Sequence, residues 1–509
     1  MTIRIACIGG GPGGLFFSTL VKRHLPEADV VLFERNQASD AFGFGVVFSD
    51  ATLRKITAAD PVLEEALRER GRHWDAIQVW LKDEQHLFRG NGMSAIHRKS
   101  LLSALQEKAS EAGVDMRFGT FIPDVSELDD FDLVVAADGA NSATRTAVGE
   151  ERLGHHVVEA SAKFIWFGTT HMFEGLTFVH RQNEHGNFAA HAYPISDELS
   201  TFIVEADEQT WRNAGLDEFD VTQPPGISDM KSKEYIEKLF AEDLQGHSVV
   251  VNNSRWGNFR TRSTERWFDA NIAFLGDALH TAHFSVGSGT KMAMEDAIVL
   301  ARTVAEKPDQ LQKALSEYES ERKPQVAKVQ DAARPSLSWW EHFARYHNAF
   351  DPLSFTFHFF SRSISMEKIR QRDPQLVSET EAQWHHQHGA APLETPIDLA
   401  GVTFSSRLLS ADAHSLFADG ASLSWDAPKL TVVHAPHDES HLAARFDELP
   451  ATGAVVVTGG TALTRRLLSE EARLGRGLTA VLHEPADTDT AATAVLSGRA
   501  DAVAAEAAQ

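Results

Sequence analysis

The sequence predicts an α/β protein built on parallel strands, and three observations predict it. An apolar run near the start ends in a glycine cluster. Two later apolar runs end in Asp-Gly and in Gly-Asp. Runs of this kind, buried on both faces and followed by helical patterns, belong to parallel sheets covered by helices.

The first run, Ile3 to Ile8, leads into Gly9-Gly10-Gly11-Pro12-Gly13-Gly14, which contains G-x-G-x-x-G at Gly9, Gly11 and Gly14. Leu15 to Arg23 reads as a helix, and Val30 to Phe33 as a second strand ending at Glu34 and Arg35. Glycines allow a tight turn and close approach of the backbone to a pyrophosphate. The helix N-terminus offers unpaired N–H groups to phosphate. Glu34, about 20 residues after the glycines, has the position of a ribose hydrogen-bond acceptor. This motif by itself predicts a dinucleotide without choosing between FAD and NAD.

The second run, Phe131 to Ala137, ends at Asp138-Gly139, with Ser142 and Arg145 following. The third, Ile272 to Leu275, ends at Gly276-Asp277 and continues through Gly287-Ser288-Gly289-Thr290 into a helical stretch. There Ala293, Ala297, Leu300, Ala301 and Val304 share one face.

Together the three motifs resemble those of the aromatic-hydroxylase class of single-component flavoprotein monooxygenases, over about residues 1–310. The resemblance implies a Rossmann-like FAD-binding domain of glutathione-reductase type. A β-sheet substrate domain, a helical cap and a small α/β C-terminal extension accompany it. It implies that Asp277 holds the flavin ribityl chain and that Asp138 and Gly139 lie near the pyrophosphate and the nicotinamide path. Arg98, in an R-x-x-L context with Leu101, is implied to contact the FAD backbone. Backbone donors at Gly287, Gly289 and Thr290 would face the negative charge of reduced flavin. NADH or NADPH is then a transient co-substrate.

Two segments narrow the resemblance. They are Phe42 to Asp50, containing Gly45-Val46-Val47, and Gly276 to Thr290, where His283-Phe284 stands near the position at which most aromatic hydroxylases carry proline. With Lys163 to Thr169 and Ala190 to Pro194 they resemble the salicylyl-CoA 5-hydroxylase-like subgroup. That subgroup also holds 2-aminobenzoyl-CoA monooxygenases and the violacein-pathway hydroxylase. The implied reaction consumes NAD(P)H and O₂ and hydroxylates an aromatic CoA thioester through a flavin C4a-hydroperoxide. The leading substrate is salicylyl-CoA, giving gentisyl-CoA. The alternatives are 2-aminobenzoyl-CoA, an indole-type or free aromatic, and a non-catalytic flavoprotein that shields a reactive metabolite. A halogenase is disfavoured because no W-x-W-x-I-P segment occurs. His283, Phe284, His280 and His191 are the candidate catalytic residues, with Tyr193 a further acid–base candidate. Arg68, Arg72, Lys99, Arg322 and Lys323 are candidate partners for the CoA phosphates.

Bulk properties agree with a cytoplasmic enzyme, monomeric or homodimeric. The 48 Lys and Arg against 72 Asp and Glu give a net charge of −24, which disfavours nucleic acid and anionic membranes as partners. No apolar stretch approaches the roughly 20 residues of a membrane span, and the N-terminus lacks a signal-peptide pattern. The single cysteine, Cys7, excludes an internal disulfide, and no metal is expected.

The expected organisation is a monooxygenase unit over 1–390 and an extension over 391–509. FAD-binding parts fall near 1–75, 95–160 and 255–310, the substrate sheet near 76–94 and 161–254, and the cap over 311–380. Glu381 to Glu394, with His385, His386 and His388, reads as a linker. Thr395 to Thr403 and Ala494 to Asp501 resemble the opening and the last turn of an old-yellow-enzyme-type barrel. Only about 115 residues remain for it, against ~250 for a complete barrel. The expectation is a truncated, catalytically dead remnant with a small α/β fold and a strand at Val455 to Thr458.

Overall fold

The structure is a computed structural model that describes residues 2–224, 226–287 and 289–506. The chain divides into two compact units, Met1–Ile77 with Asn91–Glu341, and Gln78–Gly90 with His342–Gln509.

In the first unit, among the described residues, six strands form one sheet. In order these are Phe268–Asp269, Ile272–Phe274, Leu133–Ala136, Arg4–Ile8, Asp29–Glu34 and Asp115–Phe118. All neighbours are parallel except the first pair. Ile8 is in register with Ala136, which is in register with Phe274. The three predicted motifs therefore begin side by side at the carboxyl ends of adjacent strands. Helices Pro12–His24 and Gly289–Glu306 pack on this sheet and share its core with Leu15, Phe16, Leu300 and Val304.

An antiparallel sheet supplies the other wall of the unit. It runs Val249–Val250, His155–Thr169, Ser200–Ala206, Gly186–Pro194, Thr177–Asn183, with Gly257–Thr264 also pairing to His155–Thr169. Strand Gly45–Ser49 pairs with Met93–His97, itself paired with Arg72–Trp74.

The second unit holds helices Pro352–Phe360, Met366–Arg372 and Pro374–His388 and a seven-stranded sheet. That sheet runs Ala421–Ser424, Ser415–Ala418, Leu408–Ala411, Ala502–Glu506, Thr479–His483, Ala454–Gly459, Leu430–Ala435. Its parallel strands around helix Ala462–Glu470 realise the expected small α/β fold, and its two ends are edges, so the sheet is open rather than a closed barrel.

The boundary expected at 390 is not where the units divide. Glu381 to Glu394 is no linker, because helix Pro374–His388 continues through the three histidines and ends at Gly389 in the left-handed region. Trp384 Nε1 donates to Thr395 Oγ1 at 3.0 Å, and Arg499 donates to Ser361 Oγ at 2.8 Å. His358 Nδ1 lies 2.8 Å from the Ser497 carbonyl. These bonds join the helices to the C-terminal sheet in one unit. No group of histidines, cysteines and carboxylates able to hold a metal occurs among the described residues.

Candidate active site

The glycines of the first motif are where the three motifs meet. A Cβ on Gly9, whose φ is +112°, would stand 2.3 Å from the Ala137 carbonyl oxygen. A Cβ on Gly13 would stand 2.7 Å from Leu275 and 3.1 Å from Ala293. A Cβ on Gly14 would stand 2.1 Å from the Gly9 carbonyl oxygen. Only hydrogen at these positions lets the three strand ends and two helices close on one another. Gly11 differs, because a Cβ there meets nothing within 4 Å. It faces open space.

That space consists of two cavities lined in common by Gly11, Ala137 and Gly139. The smaller, of 180 Å³, is bordered by Gly9, Glu34, Arg35 and Asp138. Glu34 accepts from Gly10 N at 2.6 Å and from Asn36 N at 2.8 Å, which fixes it at the cavity edge. Asp138 Oδ2 accepts from Thr144 N and Oγ1, while its buried Oδ1 has no partner. The larger cavity, of 320 Å³, is lined by Pro12, Gly13, Gly45, Val46, Val47, Arg98, Asp277, Gly287, Gly289 and Thr290. Trp166, Phe178, His191, Tyr193, Ile203 and Phe284 line it as well. Ser288 lies outside the described residues.

The donor set fits a flavin dinucleotide. A glycine facing empty space, an orphaned buried carboxylate oxygen and a helix N-terminus at Gly289 surround an elongated pair of cavities. FAD would be held by the Gly9–Gly14 loop, Glu34, Arg98, Asp138 and Asp277. The Asp277 side chain opens onto the cavity, where desolvation by the surrounding protein pushes its carboxyl up and His280, Arg98 and Arg262 pull it back down. Burial pulls the Arg98 guanidinium down, opposed by Asp277. Gly287, at φ +59°, turns the loop against Val47.

The sequence-predicted catalytic residues separate on inspection of their surroundings. His191 and Phe284 reach the cavity. His191 packs on Trp340 with ring centroids 4.2 Å apart, and Phe284 packs on Trp166 at 5.6 Å. His283 is 2% exposed and does not line the cavity. It stands behind Phe284, with Nδ1 2.7 Å from Ser285 Oγ. His280 is turned away as well, its Nε2 2.7 Å from Asp296 Oδ2. Burial would raise the Asp296 carboxyl, but His280 and Arg322 hold it below its ordinary range. Asp296 also accepts from Gly276 N at 3.0 Å, so this group clamps the turn that carries Asp277. Tyr193 lines the cavity as a neutral phenol, since burial pushes it up to about 12, and its hydroxyl donates to the Gly45 carbonyl at 3.4 Å.

Arg322 is a correction among the candidate CoA partners. It is fully buried and paired to Asp296 at 2.9 Å and Glu295 at 3.3 Å, because the helix that carries it packs on helix Gly289–Glu306. Arg72 is paired to Asp197, and Lys323 donates to the Glu265 carbonyl. Arg68 and Lys99 are exposed.

One residue escaped the sequence reading. Glu205, 1% exposed, has Oε1 2.8 Å from His191 Nε2 and Oε2 4.0 Å from His283 Nε2. Burial pushes its carboxyl up to about 7, against the pull of His283. The signal available was a lone acid in the otherwise apolar or hydroxyl-bearing strand Ser200–Ala206.

The fold and the paired cavities fit a flavin-binding protein, and its relatives define an oxygenase of aromatic rings. Residues 130–333 match the FAD binding domain family. The chain is 52% identical, over 98% of its length and 99% of the relative's, to salicyloyl-CoA 5-hydroxylase of a Streptomyces species. It is 33% identical to the 3-hydroxy-4-methyl-anthranilyl-[aryl-carrier protein] 5-monooxygenase of Streptosporangium sibiricum, over 66% of this chain and 89% of that protein. It is 33% identical to protodeoxyviolaceinate monooxygenase of Chromobacterium violaceum, over 67% and 89%. The chain belongs to the FAD-dependent aromatic monooxygenases, enzymes that use FAD with NAD(P)H.

Solved structures carry the same fold. A mutant of 2-methyl-3-hydroxypyridine-5-carboxylic acid oxygenase superposes with a TM-score of 0.55 at 20% identity, over 69% of this chain and 98% of that one. Pseudomonas aeruginosa PqsL with 2-aminobenzoylacetate gives 0.53 at 20%, over 68% and 99%. No helix among the described residues is long and apolar enough to cross a membrane.

Proposed function

We propose that the enzyme hydroxylates the ring of an aromatic CoA thioester that carries a hydroxyl group, with salicyloyl-CoA as substrate and the carbon para to the hydroxyl as the site of attack. The observation that carries this reading is the 52% identity to salicyloyl-CoA 5-hydroxylase over nearly all of both chains. The anthranilyl relative, whose aryl group is borne on a carrier protein, supports a substrate presented on a long arm.

Bound FAD, reduced by NAD(P)H, activates O₂ and supplies an electrophilic oxygen atom. The chain's own residues do the rest. Trp166, Phe178, Ile203 and Phe284 form an apolar wall that takes a flat ring and excludes water. A ring hydroxyl directs attack to its para carbon most strongly when its proton is shared with a base. His191 is the imidazole in the cavity wall able to take that proton at a ring nitrogen. Tyr193, held neutral, offers a hydrogen-bond donor. Arg98, Asp277, Gly287, Gly289 and Thr290, which line the same cavity, would hold the cofactor.

A panel of aryl-CoA esters and free acids, scored by NADH and NADPH consumption and by product mass, tests the reading. Salicyloyl-CoA is expected to stimulate consumption with one hydroxylated product formed per nicotinamide oxidised. Stimulation by free salicylate alone, or by 2-aminobenzoyl-CoA in preference, would replace the substrate.

A further inference from the structure

Strand Ser200–Ala206 contributes Ile203 to the cavity lining, and its residues alternate between two faces. Ile203, in register with His191 and Trp166, points to the cavity side. Glu205, two positions on, shares that face. It is in register with Ala189 and Phe164 and lies just beyond the cavity wall. A carboxyl group here has left water, and an ion so placed is costly unless its charge is matched. The groups placed to match it are histidines. His191 Nε2 is 2.8 Å from Oε1, an ion-pair approach without the alignment of a hydrogen bond, and His283 Nε2 is 4.0 Å from Oε2. Behind His283, Ser285 Oγ is 2.8 Å from Ser336 Oγ. One histidine of the pair lines the cavity and the other is withdrawn from it, so the carboxyl connects the substrate surface to the interior.

We propose that Glu205 is a positioning residue of the hydroxylation site, its carboxylate holding His191 at the cavity wall by charge and stabilising the imidazolium that forms when His191 takes up the proton of the substrate hydroxyl. The step is a proton transfer only. The substrate O–H bond breaks and a ring nitrogen of His191 gains its proton. Glu205 keeps its negative charge and pairs with the imidazolium so formed across the 2.8 Å between Oε1 and Nε2. No electron moves, and reprotonation of the product hydroxyl runs the transfer backwards. This deepens the substrate reading above and rests on it for the identity of the hydroxyl.

The groups around Glu205 set its titration. His191 faces it from strand Gly186–Pro194, and His283 from the 281–287 turn. His180 of strand Thr177–Asn183 lies in the same row across the sheet, one strand beyond Ala189. Strand His155–Thr169 contributes Phe164 and Trp166, and helix Leu311–Ala349 contributes Ser336 and Trp340, none of which titrates.

The test compares FAD-loaded wild type, Glu205→Gln and Glu205→Asp, with FAD content and the visible flavin spectrum certifying the fold of each. The wild-type kcat is expected to rise with pH through about 7, the range in which this carboxyl ionises. Glu205→Gln is expected to lose that limb and roughly 10–100-fold in kcat, with KM little changed. Glu205→Asp is expected to restore the limb in part. Infrared difference spectra of wild type minus Glu205→Gln are expected to contain a carboxylic-acid C=O band that disappears as pH rises from about 6 to about 9. A band that does not titrate, or a Glu205→Gln enzyme with the wild-type pH profile, overturns the proposal. A wild type that turns over a different aromatic, or none, overturns the substrate reading. The infrared titration then decides the Glu205 assignment by itself.

Discussion

At the scale of single residues, a base in the cavity and the acid behind it do different work. Replacing His191 by phenylalanine keeps the ring packing against Trp340 and Phe178. It removes the proton acceptor, so product formation is expected to fall roughly 100-fold or more while NADH oxidation continues into hydrogen peroxide. Peroxide yield per NADH measures this, and unchanged coupling would remove His191 from the reaction. Glu205 also makes a stability prediction. Its folded-state pKa of about 7 lies above the ordinary 4.5, so the folded protein holds this proton more tightly than the unfolded chain. The group's contribution is fully present below the ordinary value and is lost as pH rises through about 7. The full gap corresponds to about 3 kcal/mol. Glu205→Gln, neutral at every pH, is expected to be more stable than wild type at about pH 8, with the difference shrinking toward about pH 5. Urea denaturation at the two pH values checks this, and a pH-independent difference would contradict it.

At the scale of elements, two glycines in one loop have opposite roles. At Gly14 a Cβ collides with the Gly9 carbonyl oxygen, so Gly14→Ala pushes helix Pro12–His24 off the strand before it. A loss of about 1–3 kcal/mol of stability is expected. At Gly11 the backbone is extended, with φ −75° and ψ 175°, and a side chain meets only the cavity. Gly11→Val is therefore expected to fold with a near-normal Tm and to emerge without FAD. Calorimetry and flavin absorbance distinguish the two cases. The clamp on the Gly276 turn belongs to this scale as well. Asp296→Ala would remove the carboxylate that Arg322 and His280 share, leaving Glu295 as the carboxylate paired to the buried Arg322, and is expected to cost about 3 kcal/mol.

At the scale of the whole chain, the cofactor count tests the division into two units. The paired cavities lie in the first unit, and the second carries an open sheet. Purified protein is expected to release one FAD per chain and no FMN on denaturation. FMN in the extract would mean that the C-terminal sheet retains a flavin site.

The FAD half of the site was legible in the sequence because its chemistry is local. A strand end, a glycine turn and a helix start are consecutive residues, and their spacing is set by backbone geometry alone. Gly9, Glu34, Asp138, Asp277 and Thr290, singled out by those motifs, border the two cavities. The substrate half was legible only in part. His280 and His283 have the same composition signal as His191, yet they turn inward to Asp296 and Glu205. Which way they turn depends on partners far along the chain, and Glu205 precedes the turn by several strands. Glu205 itself was hidden inside a strand whose pattern says only that it is buried.

The sequence by itself thus determined the α/β class, the cofactor and the family, and it singled out the glycine turns that border the cavities, all from short-range spacing. The tertiary structure alone decided which histidine meets the cavity and which acid stands behind it. It also decided that 342–388 folds with the C-terminal sheet rather than before a linker. The reason is that burial and pairing across strands are relations between distant positions. No local period records them, and only the packed sheet, with its register fixed, brings His191, Glu205 and His283 to one place.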